Sequence, residues 1–148
     1  MTTVKQLLAG KTAGVVTISA EQSAFEALQK MAQADIGALI VTEGKKVVGI
    51  FSERDYARKV SLRGKTAMEC LVGELMTRRV YYADPAQTIN DVMALMTAKR
   101  IRHLPVMEKE ELTGVISIGD VVKAVIADHE FTIHELEKYI TGSPGLEM

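Results

Sequence analysis

The pattern Gly-x-x-Ser-x-x-Asp occurs twice in this chain, at Gly49, Ser52 and Asp55 and again at Gly114, Ser117 and Asp120. A serine followed three residues later by an acid is first of all a helix cap: the hydroxyl accepts from the N–H of the third helical residue, and the carboxylate reaches back. Capping alone tolerates many substitutes, so recurrence of the same pair leaves room for a second role of each carboxylate. Other chemistry is sparse. Gly10-Lys11-Thr12 and Gly64-Lys65-Thr66 mimic the end of a phosphate-binding P-loop, but that loop needs a glycine where Lys5 and Lys59 stand. No Gly-x-Gly-x-x-Gly or Gly-x-Ser-x-Gly is present, and neither Ser52 nor Ser117 carries the signature of an activating base. His129 and His134 are five apart, off the spacing that shares a helix face, so no metal site is expected. The methionines fall at helix-packing positions. These residues suit binding rather than turnover.

A duplicated unit positions them. A shift of 65 residues lays Gly49, Ser52 and Asp55 over Gly114, Ser117 and Asp120. The same shift pairs Val15 with Val80, Gln22 with Gln87, Met31 with Met96, Ile36 with Ile101, Leu39 with Leu104 and Val41 with Val106. Nine matches at one offset indicate a tandem repeat. Each copy reads βαββα. A short strand (Val15–Ile18 or Val80–Tyr82) leads to a helix with apolar positions at Ala24, Ala27, Leu28 and Met31, or at Ile89, Val92, Met93 and Met96. Asp84-Pro85, Thr88 and Asp91 mark the start of the second of these helices. Two strands follow, Ala38–Val41 with Val47–Phe51 and His103–Val106 with Leu112–Ile116, joined by polar turns. A closing helix begins near Ser52 or Ser117. The segment Leu62–Gly73 reads as a linker, most exposed at Arg63–Thr66, with a short helix through Val72, Leu75 and Met76 after it. The expected organisation is a first repeat over 10–65, a second over 73–130, and a separate C-terminal helix and tail over 131–148. That last helix uses Ile133, Leu136 and Ile140, and Ser143-Pro144-Gly145 stops it.

Bulk properties exclude several classes. Hydrophobic residues at 47% and charged residues at 25% are those of an ordinary globular chain, long enough to bury a core. A net charge of −1 gives no case for nucleic acid or an anionic membrane surface. The single cysteine, Cys70, rules out an internal disulfide and fits a reducing compartment. No secretory leader or membrane-length apolar run is visible, which makes the cytoplasm the expectation.

The doubled Gly-x-x-Ser-x-x-Asp, preceded by Ile36-Gly-Ala-Leu-Ile-Val41 and Ile101-Arg-His-Leu-Pro-Val106, resembles the cystathionine-β-synthase (CBS) domain family. The resemblance spans about residues 10 to 130 as a tandem pair, or Bateman module, of the stand-alone bacterial kind. It implies an α/β fold of two βαββα repeats about a pseudo-twofold axis, with two clefts between them. In this family such clefts bind AMP, ADP, ATP, NAD or S-adenosylmethionine and report ligand level to a partner. Carried over, Asp55 and Asp120 would accept from ribose hydroxyls, and Ser52 and Ser117 would touch ribose or phosphate. Asp120 would work with Lys11, Thr12, Val16, Ile36, Gly37 and Ala38. Asp55 would work with Thr77, Tyr82, Ile101, Arg102, His103 and the adjoining Pro105, with Arg54, Arg102 and His103 facing phosphate.

The chemistry suits such a ligand. One carboxylate can accept from both ribose hydroxyls, a helix start offers N–H groups to phosphate, and a strand-end glycine permits close approach. Arg supplies a planar fork and His a proton near neutral pH. The clefts are unequal, since Arg54 corresponds to Gly119 and Arg102-His103 to Gly37-Ala38. The expected protein is therefore a non-enzymatic adenine-nucleotide sensor, a homodimer with a separate effector, and without a catalytic cofactor. A ligand-free dimeric scaffold with vestigial pockets is the alternative.

Overall fold

The computed structural model describes residues 1–11 and 14–141; Thr12 and the Ser143-Pro144-Gly145 stop lie outside the described residues. In chain order the elements are α1 (Val4–Ala9), β1 (Thr17–Ser19), α2 (Ala24–Ala34), β2 (Ala38–Glu43), β3 (Lys46–Ser52), α3 (Glu53–Lys59), α4 (Val72–Leu75), α5 (Ile89–Lys99), β4 (His103–Glu108), β5 (Glu111–Ser117) and α6 (Ile118–Thr141). The fold is α/β, and the duplication is visible in its register. β2 and β3 form an antiparallel hairpin that sets Ala38 opposite Ser52, and β4 and β5 set His103 opposite Ser117. Each hairpin shifts register at the equivalent place, after Val41 and after Val106. Asp35 and Arg100, also 65 apart, both end their helices in the left-handed conformation at φ 54°.

Local chemistry sets the ends. Thr88 and Asp91 close a reciprocal capping box on α5, and Ser52 with Asp55 do the same on α3. The opening strand of each repeat is shorter than the pattern predicts. In the first, pairing begins only at Thr17, where β1 runs parallel to β2. In the second, Val80–Tyr82 forms no strand, and a single parallel bridge joins Ala83 to Val106. The reason follows at once in the chain: Asp84 turns back to accept from Ala86 N–H at 2.8 Å, and Pro85 has no N–H to offer a ladder. The tail helix also differs from expectation. With no Gly or Pro between Ile118 and Thr141 except Gly119 in its first turn, α6 runs unbroken for 24 residues and absorbs the segment read as a separate helix. Among the described residues no helix is long and apolar enough to cross a membrane.

Each repeat has its own core, and each core is completed by chain that precedes the other repeat. Ile18, Met31, Leu39, Val41 and Phe51 of the first repeat pack with Val72, Leu75 and Met76 around α4. The presumed linker is exposed at Arg63–Thr66 but buries Ala67 and Cys70 in this same core. In return α1 crosses to the second repeat, where Val4 joins Ile89, Val92, Met96, Leu104 and Ile116, with Leu7 and Leu8 alongside. Backbone bonds clamp the crossing: Val4 N–H to Gln87 O at 2.8 Å and Ile89 N–H to Thr2 O at 3.0 Å.

The two motif glycines serve this exchange, not a ligand. Each lies within its strand, and a Cβ on Gly49 would stand 2.5 Å from Met76 Sδ and 3.0 Å from Thr77 O. A Cβ on Gly114 would stand 2.7 Å from a Leu8 methyl. Gly49→Ala should therefore destabilise the fold by about 1–3 kcal/mol, the usual range for overpacking. Gly114→Ala should cost less, because half-buried Leu8 on a short terminal helix can shift. Urea unfolding of both variants reads this directly; a Gly49→Ala midpoint equal to wild type would contradict the assignment.

Candidate functional site

A cleft of about 890 Å³ opens between the repeats beside the start of α3. That volume lies in the range of small-ligand sites. One wall comes from the first repeat through Gly37, Ile50, Ser52, Glu53, Arg54, Asp55, Arg58 and Lys59. The other comes from the second through Thr77, Arg79, Val80, Tyr81, Arg100, Ile101, Arg102, His103 and Pro105.

Asp55 divides its two oxygens between structure and cleft. Oδ2 accepts from Ser52 N–H at 3.0 Å and from Ser52 Oγ at 3.1 Å, while Asp55 N–H donates to Ser52 Oγ at 3.1 Å. Oδ1 faces Thr77 Oγ1 at 3.4 Å and the Lys59 ammonium at 3.2 Å. Thr77 is held there by two bonds to Ile50, N–H to O at 2.8 Å and O from N–H at 3.0 Å. The amides expected to be free at the helix start are partly engaged, since Glu53 N–H donates to Gly37 O at 3.0 Å. Anion attraction in this cleft therefore rests on side chains.

Those side chains are mostly cationic. Arg54, Arg58, Lys59, Arg79, Arg100 and Arg102 line the cleft against the carboxylates of Glu53 and Asp55. Arg79 lies over the Tyr81 ring, 5.6 Å from its centroid, and Lys99 lies 5.4 Å from the same ring. His103 begins β4, and its imidazole pKa is lowered from the ordinary value. Burial is the main cause; the Asp120 carboxylate opposes it, Arg102 and Lys11 add to it, and Glu53 opposes it weakly. His103 is thus biased neutral and is felt from both repeats.

The structure brings together Ser52, Arg54, Asp55, Thr77, Ile101, Arg102, His103 and Pro105 as the sequence suggested. Tyr82 is a correction: it is 55% exposed and lines a shallow depression with Asp84 and Met107, while its neighbour Tyr81 faces the cleft. Arg58 and Lys59 were missed, although each lies four residues after Arg54 or Asp55 on one helix, a spacing that shares a face. Arg79 and Arg100 carried no local signal.

Around Asp120 the arrangement differs. Lys11 Nζ donates to Asp120 Oδ2 and to Val115 O, both at 2.8 Å. Ser117 N–H donates to the same Oδ2 at 2.8 Å, and Asp120 N–H donates to Ser117 Oγ at 3.1 Å. Of the partners expected here, Gly37 lines the other cleft, where a Cβ would stand 3.8 Å from His103 Cε1. Val16 and Ile36 are half-buried against the first core, and Ala38 is buried at the head of β2. Burial works against the charge on Asp120, but the Lys11 hydrogen bond and the Ser117 amide more than offset it, and the carboxyl pKa is held below its ordinary value. Among the described residues no group of three or more His, Cys, Asp or Glu could hold a metal ion.

Two repeats with matching hairpins and an inter-repeat cleft define a tandem regulatory pair, and the comparisons with known proteins agree. The CBS domain family model matches residues 4–62 and 72–127, and the chain belongs to that family. A CBS-domain protein of Burkholderia ambifaria is 45% identical, with 86% of this chain and 96% of that one covered and a TM-score of 0.83. The mitochondrial CBS domain-containing protein CBSX3 of Arabidopsis thaliana is 36% identical over 127 residues, 82% of this chain. The chain spans 62% of that relative's length. The CBS domain pair of protein MJ0100, solved with 5′-methylthioadenosine and S-adenosyl-L-methionine, shares the fold at 24% identity and a TM-score of 0.74.

The Lys11–Asp120 pair yields a pH test. A carboxyl whose folded pKa is depressed contributes stability that is present above its unfolded value near 3.8 and is lost as pH falls through the folded value. Lys11→Met should raise the Asp120 pKa and shift the acid loss of stability to higher pH. Carboxyl-carbon NMR titration of Asp120 from pH 6 to 2 would show it; an unchanged titration would refute the pairing.

Proposed function

We propose that the protein is a regulatory module that binds an adenine nucleotide in the cleft at Asp55 and passes its occupancy to a separate protein. The supporting observation is the surroundings of Asp55: its cap uses one carboxylate oxygen, and the other, paired with Lys59 and close to Thr77, stands in the cleft beside a wall of further cations. Neighbouring ribose hydroxyls are donors suited to that oxygen in a charge-assisted pair. Val80, Tyr81 and Ile101 supply apolar surface for a base, and Arg54, Arg102 and His103 suit phosphate. MJ0100 is a precedent for adenosyl ligands in this fold.

The cleft is made from both repeats, so a ligand that contacts both walls has different affinity for different packings of the two. Such a difference is the requirement for a ligand-driven switch. Nothing among the cleft groups is arranged as an activated nucleophile and base, which favours a binder over a catalyst. Both motif carboxylates carry a lysine, Lys59 on Asp55 and Lys11 on Asp120, and the Asp55 side is preferred because the cleft and its further cations lie there. The reading includes a cytoplasmic homodimer as the working form.

Asp55→Asn keeps the side chain's shape and removes the charge. It should weaken AMP, ATP or NAD binding by about tenfold or more in isothermal titration, whereas Asp120→Asn should change the dominant event little. Equal loss from both would overturn the preference for the Asp55 cleft, and no heat with any of the three would overturn the nucleotide reading. His103 adds a pH dependence. Its free pKa lies below 6.5, and a phosphate beside it favours the imidazolium, so binding takes up a proton. Affinity should rise as pH falls from 8 towards 6.5, and His103→Gln should flatten that slope; equal slopes in the two proteins would place His103 away from phosphate.

A further inference from the structure

The cleft holds more positive charge than one phosphate can balance. Six cationic side chains face two carboxylates, and Asp55 is already bonded to Ser52 and paired with Lys59. Among the described residues, the side chains of Arg54, Arg58, Arg100 and Arg102 make no ion pair or hydrogen bond. Four guanidiniums without acidic partners, brought to one cleft from α3 and from the turn between α5 and β4, repel one another unless an anion joins them. A triphosphate tail carries about four negative charges near pH 7 and a monophosphate about two. The surplus of cations over carboxylates in the cleft matches the longer tail.

Resting on the nucleotide reading above, we infer that this cleft selects the length of the phosphate tail and takes a nucleoside triphosphate in its magnesium-free form. Arg58, one turn beyond Arg54 on α3, and Arg100, two residues before Arg102, are the residues assigned to the outer phosphates, with Arg54 and Arg102 left to the inner one. Guanidinium forks bind phosphate oxygens in pairs and need no metal to neutralise them. Magnesium needs oxygen ligands and keeps several waters. The cleft offers it two carboxylates, one of them engaged, and chelation of the tail by the metal would halve the charge that the arginines read.

Isothermal titration of the intact protein with ATP, ADP, AMP and sodium tripolyphosphate, in EDTA and then in excess magnesium chloride, tests this. Affinity should fall in the order ATP, ADP, AMP, with at least about tenfold between the first and last, and magnesium should weaken ATP several-fold. Arg58→Gln and Arg100→Gln, each checked by its melting curve, should narrow the ATP-to-AMP ratio and weaken tripolyphosphate. AMP binding as tightly as ATP would overturn the inference while leaving the nucleotide reading intact. So would magnesium leaving ATP unaffected, or Arg variants with the wild-type ratio. Binding of tripolyphosphate but of no nucleotide would do the reverse, sustaining the phosphate site and removing the adenine. Binding of neither would remove both.

Discussion

The cleft depends on the exchange of short helices between the repeats. A repeat of about sixty residues buries too little surface to be secure alone, and here neither core is complete without borrowed chain. Val4 and its neighbours fill the second repeat, and Val72, Leu75 and Met76 fill the first. The two sheets cannot drift apart without opening both cores. The same segment continues into the site: directly after Met76, Thr77 pairs with Ile50 on β3 and turns its hydroxyl toward Asp55. Core closure and cleft wall are one stretch of chain, so a ligand that moves Thr77 acts on the packing of the first core.

Much of this was legible in the sequence because duplication writes each constraint twice. The hairpins, the capped closing helices and the relation between Ser52 and Asp55 follow from patterns that hold over a few residues. What was lost is what depends on distance or on register. The destination of α1 could not be read from residues 4–9, since their apolar face does not say which core it meets. Tyr81 and Tyr82 could be told apart only by knowing that the expected strand fails before Asp84-Pro85, which removes the alternation a strand would have imposed. The glycines show a third kind of miss. Gly49 and Gly114 were read as making room for a ligand, yet the room is taken by Met76 and Leu8. Lys11, expected to work with Asp120, does lie beside it and donates to its carboxylate.

The two motif sites share their caps and differ in their charge, and that contrast separates structural need from the rest. Ser52 with Asp55 and Ser117 with Asp120 make equivalent capping contacts, so folding alone is enough to retain them. Lys59 bonds Leu75 O and Asp55, and Arg79 lies over Tyr81, but the side chains of Arg54, Arg58, Arg100 and Arg102 make no hydrogen bond or ion pair among the described residues. Under the 65-residue shift, Arg54, Lys59, Arg79, Arg100 and Arg102 correspond to Gly119, Ala124, Gly14, Asp35 and Gly37. Five positive charges line the cleft at Asp55 where the equivalent positions of the duplicate carry none, while the sixth, Arg58, corresponds to Lys123. Charge crowding of this kind opposes folding, and surface ion pairs are too weak to justify gathering it. The four guanidiniums without protein partners are the residues that folding does not require and mildly resists, and a multiply charged anion is a partner that suits their charge.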